Sequence, residues 1–432
     1  MLIAMAKRTL GERLKELRTG KGLSLRDVEK KFGINSGYLS QLESDKISNP
    51  TPSMLKKLSV AYQVPLGMLM EWAGYIERDE GGTSPHVETA LKYLPNDVSE
   101  EELKALKAVL GAMRGGAGRG GKATAYRPHY SDLELDPERR LEIRKNALAV
   151  LREIDAVHGR GPVDLDNALV VAKLVRAGAI ELDPDERERL RDRFRGLVDH
   201  VLTNLEGVVH LGRNEVYINA DLHALRERFV LAHEIGHGVL EDHREVFAHL
   251  DNHHRLSPDF NDRLEREANQ FSIELLAKGD RLRQEFDSSK PEVQEISRLS
   301  QQMDLSHQAT ARRVGEESRQ DCAIALAFRG RNGQGPLQVD RFRFWASSSF
   351  EKRFGWRSGQ LPSAAIRAAL LATARNEETP SITLFDGHGR PVEVRVEGLD
   401  ALYSVFVLFA PVRRRPLFNS KRPRSPKLLS RV

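Results

Sequence analysis

The chain has 432 residues, 40% of them hydrophobic and 30% charged, which bounds it to roughly two to four globular domains. It has no apolar run of the roughly 18 residues that a membrane helix requires, and Met1 to Leu10 lacks the apolar core and cleavage site of a secretory signal, so a cytoplasmic protein is expected. A single cysteine, Cys322, excludes an internal disulfide and a cysteine-based zinc site, and a net charge of +5 favours an anionic partner such as nucleic acid.

Leu10, Leu14 and Leu17 recur at helical spacing and predict a first helix, broken by Gly20 and Gly22. Ser24 caps a second helix, Leu25 to Phe32, with Asp27 and Glu29 where the helix dipole favours acids. Gly33-Ile34-Asn35 is a tight turn, and a third helix runs from Ser36 to Ser44. A fourth is expected over Ser53 to Gln63 and a fifth over Pro65 to Ala73. Helix, short turn, helix inside such a bundle is the helix-turn-helix plan. The stretch Leu23-Ser24-Leu25-Arg26-Asp27-Val28, then Phe32-Gly33-Ile34-Asn35-Ser36-Gly37-Tyr38-Leu39-Ser40-Gln41-Leu42-Glu43, resembles the Cro/phage-repressor (xenobiotic-response-element) helix-turn-helix family, with Glu29 where that family usually has Ala. The resemblance implies a third helix in the major groove, reading base edges through Asn35, Ser36, Tyr38 and Gln41. It also implies a double-stranded operator bound by a homodimer.

Ile76 to Pro85 is charged and Gly-rich. Ser99 to Met113 reads as a helix that either extends the first domain or dimerises it. Gly115 to Gly121 is a flexible tether. Amphipathic helices are then expected over Pro137 to His158 and Asp164 to Ala177. Val208 to Leu211 and Glu215 to Asn219 read as a β-hairpin. The next helix, about Asp221 to Leu240, carries His233-Glu234-Ile235-Gly236-His237 within an apolar run.

Side chains four apart on a helix share a face, so His233 and His237 direct two imidazoles at one point, as a bound Zn²⁺ requires. Glu234 is the matching general base. Paired polar groups on so apolar a helix need partners or a metal. A third ligand is sought on the later helix around Leu264 to Leu276. Glu265 and Glu267 lie ~200° apart there, so only one faces the metal. Glu265 falls inside the apolar sector and is the choice, with Glu267 as the alternative. A hairpin leading into such a helix allows a substrate strand to lie along the sheet edge. His243, His249, His253 and His254 are placed in a loop over 241–258.

Arg228 to His237 together with Glu265 to Leu276 resemble the ImmA/IrrE metallopeptidase family, with Ser272 where the family usually has Ala, and Ala277-Lys278 where it has Met-Pro. The resemblance implies an α+β zincin-like domain, zinc held by His233, His237 and Glu265, and a catalytic Glu234. It also implies a repressor protein as the substrate, in a stress or mobile-element response.

Glu292 to Glu317 reads as one helix that finishes this domain. Strands follow at Ala323 to Phe328, Val339 to Trp345, Ser381 to Phe385, Val392 to Val396 and Leu402 to Phe409, interrupted by a helix over Ser363 to Arg375. The tail from Arg413 to Arg431 is basic without an acid. The expectation is multidomain: an all-α helix-turn-helix bundle (8–76), a helix and linker (77–135), an α+β metallopeptidase domain (136–320), a small α+β domain (321–412) and a tail (413–432). Two other readings compete with the peptidase: a DNA-binding regulator whose zinc domain only senses or scaffolds, and an antitoxin-like component.

Overall fold

The computed structural model describes residues 8–78, 123–125, 135–159, 161–179, 206–211, 213–220, 222–249, 254–329, 336–354, 363–379, 381–401 and 403–412. The helix expected at Ser99 to Met113, the tether and the basic tail lie outside them. The chain divides into two compact units, one comprising Met1–Arg281 with Gln302–Asp304, the other Leu282–Gln301 with Leu305–Val432.

The first unit opens with five helices: α1 (Leu10–Gly20), α2 (Leu25–Phe32), α3 (Ser36–Glu43), α4 (Pro52–Tyr62) and α5 (Leu66–Trp72). Local chemistry sets their ends. Thr9 and Ser24 each form a capping box with the acid three residues on, Glu12 and Asp27. Gly33 ends α2 at φ 66°, a conformation that favours glycine. Leu14, Val28, Ile34, Leu39, Leu42, Leu55, Leu58 and Tyr62 are fully buried between the helices. Arg18 of α1 grips Glu43 of α3 through two hydrogen bonds of 2.7 and 2.8 Å and also donates to the Leu23 carbonyl.

This bundle does not end at its own surface. β1 (Ile76–Arg78) pairs antiparallel with β6 (His254–Leu256), and the Tyr75 ring stacks on Phe260 at 4.0 Å. Val246, Phe247, Phe260 and Leu264 belong to the same apolar core as Leu58 and Met70. The helical and α+β parts of the first unit are therefore packed together, not merely tethered.

The α+β part contains α6 (Pro137–Glu153), α7 (Leu165–Val171), β3 (Val175–Ala179), β4 (Gly207–His210), β5 (Glu215–Ile218), α8 (Ala224–Val239), α9 (Glu241–His249) and α10 (Pro258–Leu276). The helix expected to reach Ala177 stops at Val171. Lys173 adopts φ 56°, and Val175 onward pairs in parallel with β5 instead. The expected hairpin is present as β4 and β5. A short strand, β2 (Ala123–Ala125), just beyond the Gly-rich tether, pairs antiparallel with the other side of β4, so the sheet order is β2-β4-β5-β3. The segment 241–258, expected as a loop, contains α9 and β6.

α11 (Arg281–Asp287) leads from the first unit into the second, and α12 (Val293–Met303) and α13 (His307–Glu317) stand where one helix over Glu292 to Glu317 was expected. Asp304, at φ 49°, breaks the run. β7 (Ala323–Phe328), β8 (Arg343–Ala346), β9 (Ile382–Phe385), β10 (Pro391–Ala401) and β11 (Ser404–Pro411) form an antiparallel sheet in the order β8-β7-β11-β10-β9. A 3₁₀ turn over Val339–Arg341 replaces the start of the expected strand, and α14 (Ser348–Phe354) follows β8. α15 (Ser363–Ala374) covers one face so closely that a Cβ on Gly398 would stand 2.0 Å from Thr373 Oγ1.

Candidate metal centre

His233, Glu234 and His237 are fully buried on α8. The helix can come this close to its neighbours because glycines sit at two contacts. A Cβ on Gly236 would lie 3.0 Å from the Phe271 ring of α10, and one on Gly238 would lie 2.6 Å from Leu174. α10 brings Glu265 across to the histidines. Its carboxylate lies 3.2 Å from His233 Nε2 and 3.8 Å from His237 Nε2, while the two Nε2 atoms are 3.1 Å apart. The ligating atoms of His233, His237 and Glu265 all lie within 4.8 Å of one another. Glu267, the alternative, points away and is bound by Arg139, Arg263 and His243.

The outer nitrogens decide what the inner ones can do. His233 Nδ1 faces the Asn269 side-chain oxygen at 3.3 Å. An amide oxygen only accepts, so Nδ1 carries the proton and Nε2 keeps its lone pair. His237 Nδ1 lies 2.9 Å from His243 Nδ1, and His243 Nε2 lies 3.1 Å from the Glu267 carboxylate. Burial alone would raise the Glu267 pKa, but His243 and Arg139 hold it well below the usual carboxylate range, so it accepts from His243 Nε2–H. His243 Nδ1 is then an acceptor, His237 Nδ1–H donates to it, and His237 Nε2 is also a lone pair. Burial and the neighbouring imidazoles keep His237 uncharged by pushing its pKa well below the ordinary histidine value. Two lone pairs and a carboxylate thus converge on one point. A cation satisfies that arrangement, and two nitrogens with one oxygen are a donor set that zinc accepts.

Glu234 stands beside them. Neither of its oxygens has a hydrogen-bond partner of ordinary geometry among the described residues. Burial, and then the Glu265 charge, push its carboxyl well above the usual range, opposed only by the Val209 amide. β4 passes close by, and a Cβ on Gly207 would sit 2.9 Å from Glu234 Oε1.

The four base-reading candidates of the first domain differ in their surroundings. Asn35 is exposed, but its Oδ1 caps α3 by accepting from the Tyr38 amide at 3.0 Å, and its amide group reaches Glu29 at 3.4 Å. Ser36 is half-buried and Gln41 is exposed. Tyr38 is half-buried against the domain's own core, and burial raises its phenol pKa.

A reading that places 241–258 in a loop does not find His243 as a site residue, because the structure puts it on α9. Val246 and Phe247, one helical turn beyond Asp242 and His243, were the available signal. Among the described residues, no helix is long and apolar enough to cross a membrane.

Comparison with known proteins matches residues 191–314 to the family described as IrrE N-terminal-like domain and residues 11–74 to the helix-turn-helix domain. The HTH-type transcriptional repressor RghR of Bacillus subtilis (strain 168) is 34% identical over 86 residues, 20% of this chain and 63% of that protein. The HTH-type transcriptional regulator SinR of the same organism is 34% identical over 62 residues, 14% of this chain and 56% of that protein. The chain therefore spans less than two thirds of the length of either relative. A solved structure of a Mycobacterium tuberculosis transcriptional regulator overlaps 64% of this chain and 81% of that chain, with 11% identity and a TM-score of 0.34.

Proposed function

Because the chain joins a helix-turn-helix domain of the Cro/phage-repressor type to an IrrE N-terminal-like peptidase domain, we propose that it is a DNA-binding transcriptional regulator whose second domain is a zinc-dependent endopeptidase. Residues 8–76 bind a double-stranded operator as a homodimer, in the cytoplasm, with Asn35, Ser36, Tyr38 and Gln41 toward the bases. Similarity over 86 residues to a protein named as an HTH-type transcriptional repressor supports that half.

The observation that carries the enzymatic half is the convergence of His233 Nε2, His237 Nε2 and Glu265 beside the unpartnered Glu234. His233, His237 and Glu265 hold the metal. Bound zinc supplies Lewis acidity, polarising a peptide carbonyl and making water more acidic. Glu234 takes the proton of the attacking water and returns it to the leaving amine. Its full burial beside the cluster, with no hydrogen-bond partner of ordinary geometry among the described residues, suits that exchange.

The substrate is either another repressor or regulator protein, cut in a stress or mobile-element response, or this same chain, at its Gly115–Gly121 tether. Supporting the second possibility, Ala123–Ala125 already pairs with β4, the strand whose Gly207 lies against Glu234. An extended peptide added to a sheet edge is a recurrent binding mode.

The test is to incubate the purified zinc-loaded protein, alone and with candidate repressors, beside Glu234→Gln. Fragments on a denaturing gel from the native chain only, with zinc bound to both, are the expected result. Intact bands throughout, with zinc still bound, would leave a metal-dependent sensor as the reading.

A further inference from the structure

The proton on His237 is fixed by a chain of buried groups that continues well past the metal site. His243 Nδ1 accepts from His237 at 2.9 Å, and Glu267 accepts from His243 Nε2 at 3.1 Å. Glu267 also accepts from Arg139 Nη2 at 2.5 Å. Arg139 Nη1 lies 3.0 Å from Asp242 Oδ2. Asp242 Oδ1 accepts from the Ser53 amide at 2.8 Å and the Ser53 hydroxyl at 2.5 Å. Ser53 is in the first turn of α4, where amides have no partner within the helix. His243 and Glu267 are fully buried, Asp242 is 4% exposed and Arg139 is 9% exposed. Lys56 of α4 adds an ion pair to Glu245 on the same face of contact.

Each link needs the next. Without His243, the His237 Nδ1–H loses its acceptor and the ring loses what keeps Nε2 turned inward. Without Arg139, the buried Glu267 keeps only Arg263 and His243, and without Asp242 the half-buried Ser53 amide and hydroxyl lose their acceptor.

We propose that His243 and Glu267 are positioning residues for His237, and that Arg139 and Asp242 extend the same chain to α4, so that zinc occupancy and the order of the helix-turn-helix domain are coupled. The inference rests on the metal-binding part of the proposed function and not on peptidase activity. Partners of this kind around a metal-bound histidine typically change affinity by about 10–100-fold.

Two measurements on the full chain test it. Zinc affinity is read by competition with a chromogenic chelator. His243→Leu should bind zinc about 10–100-fold more weakly. His243→Gln, whose amide can accept from His237 and donate to Glu267, should recover most of that loss. Equal affinity in all three proteins would overturn the positioning role. Hydrogen exchange of the Ser53 and Met54 amides is then followed in the unmodified protein with and without zinc. Zinc should slow both amides in the wild type and have a smaller effect in Asp242→Asn. Exchange rates unchanged by zinc in the wild type would overturn the coupling. Should even the wild type fail to bind zinc, the metal reading fails first, and a different result identifies each case.

Discussion

Buried charge is handled in opposite ways by the two parts of the first unit. In the helix-turn-helix bundle, Arg18 and Glu43 close on each other in a two-bond pair and leave nothing over. Around α8, neither oxygen of Glu234 has a hydrogen-bond partner of ordinary geometry among the described residues, and Glu265 Oε2 lacks one as well. A closed pair is a feature that specifies a fold. A buried and a half-buried carboxylate left open side by side are a cost the fold carries for something it does not itself contain. Glu265 and Glu267 show the contrast two residues apart on α10, the first facing lone pairs, the second enclosed by Arg139, Arg263 and His243.

Substitutions should separate the two kinds. Glu234→Gln sharpens the contrast most: cleavage falls by about 10²–10⁴-fold while metal content, measured by elemental analysis, is unchanged. Next comes Glu267→Gln, which opens a closed site and should lower unfolding stability by roughly 3–5 kcal/mol in a urea titration. Arg18→Met should cost a similar or slightly smaller amount, and adding Glu43→Leu should restore most of it, because an apolar pair of similar volume replaces a buried ion pair with little loss. Glu265→Gln reverses the pattern, abolishing zinc binding without destabilising the zinc-free protein. A zinc-free Glu265→Gln that melts well below the wild type would break the distinction. The smallest effect concerns Cys322, whose thiol burial pushes up to about 12. It should resist alkylation at pH 8 in the native protein and react at once in denaturant, reporting global unfolding with no effect on function.

What could be read from the sequence follows from distance along the chain. His233, Glu234 and His237 are fixed by helical period, and the rotation between Glu265 and Glu267 separates them by angle alone. Leucine spacing locates α1 and the Ser24 cap locates α2, because both signals act within a helical turn or so. The polar chain was not legible. Arg139 and Glu267 are 128 residues apart, and Ser53 and Asp242 are 189. No local pattern encodes such pairs. The shortened α7 and the break before α13 turn on single residues in a left-handed conformation: Lys173, a type that rarely adopts it, and Asp304, a type that adopts it more readily but is also common inside helices.

The pairing of β1 with β6, the ring stack of Tyr75 on Phe260 and the α4 contacts to α9 bind the N-terminal helices to the domain behind them without any covalent help from the tether. A nick between Arg78 and Asp136 would therefore leave two pieces held as one particle. Self-processing of that kind would be invisible to size exclusion and to a native gel, and release of the DNA-reading piece would require a second event that pries the strands apart.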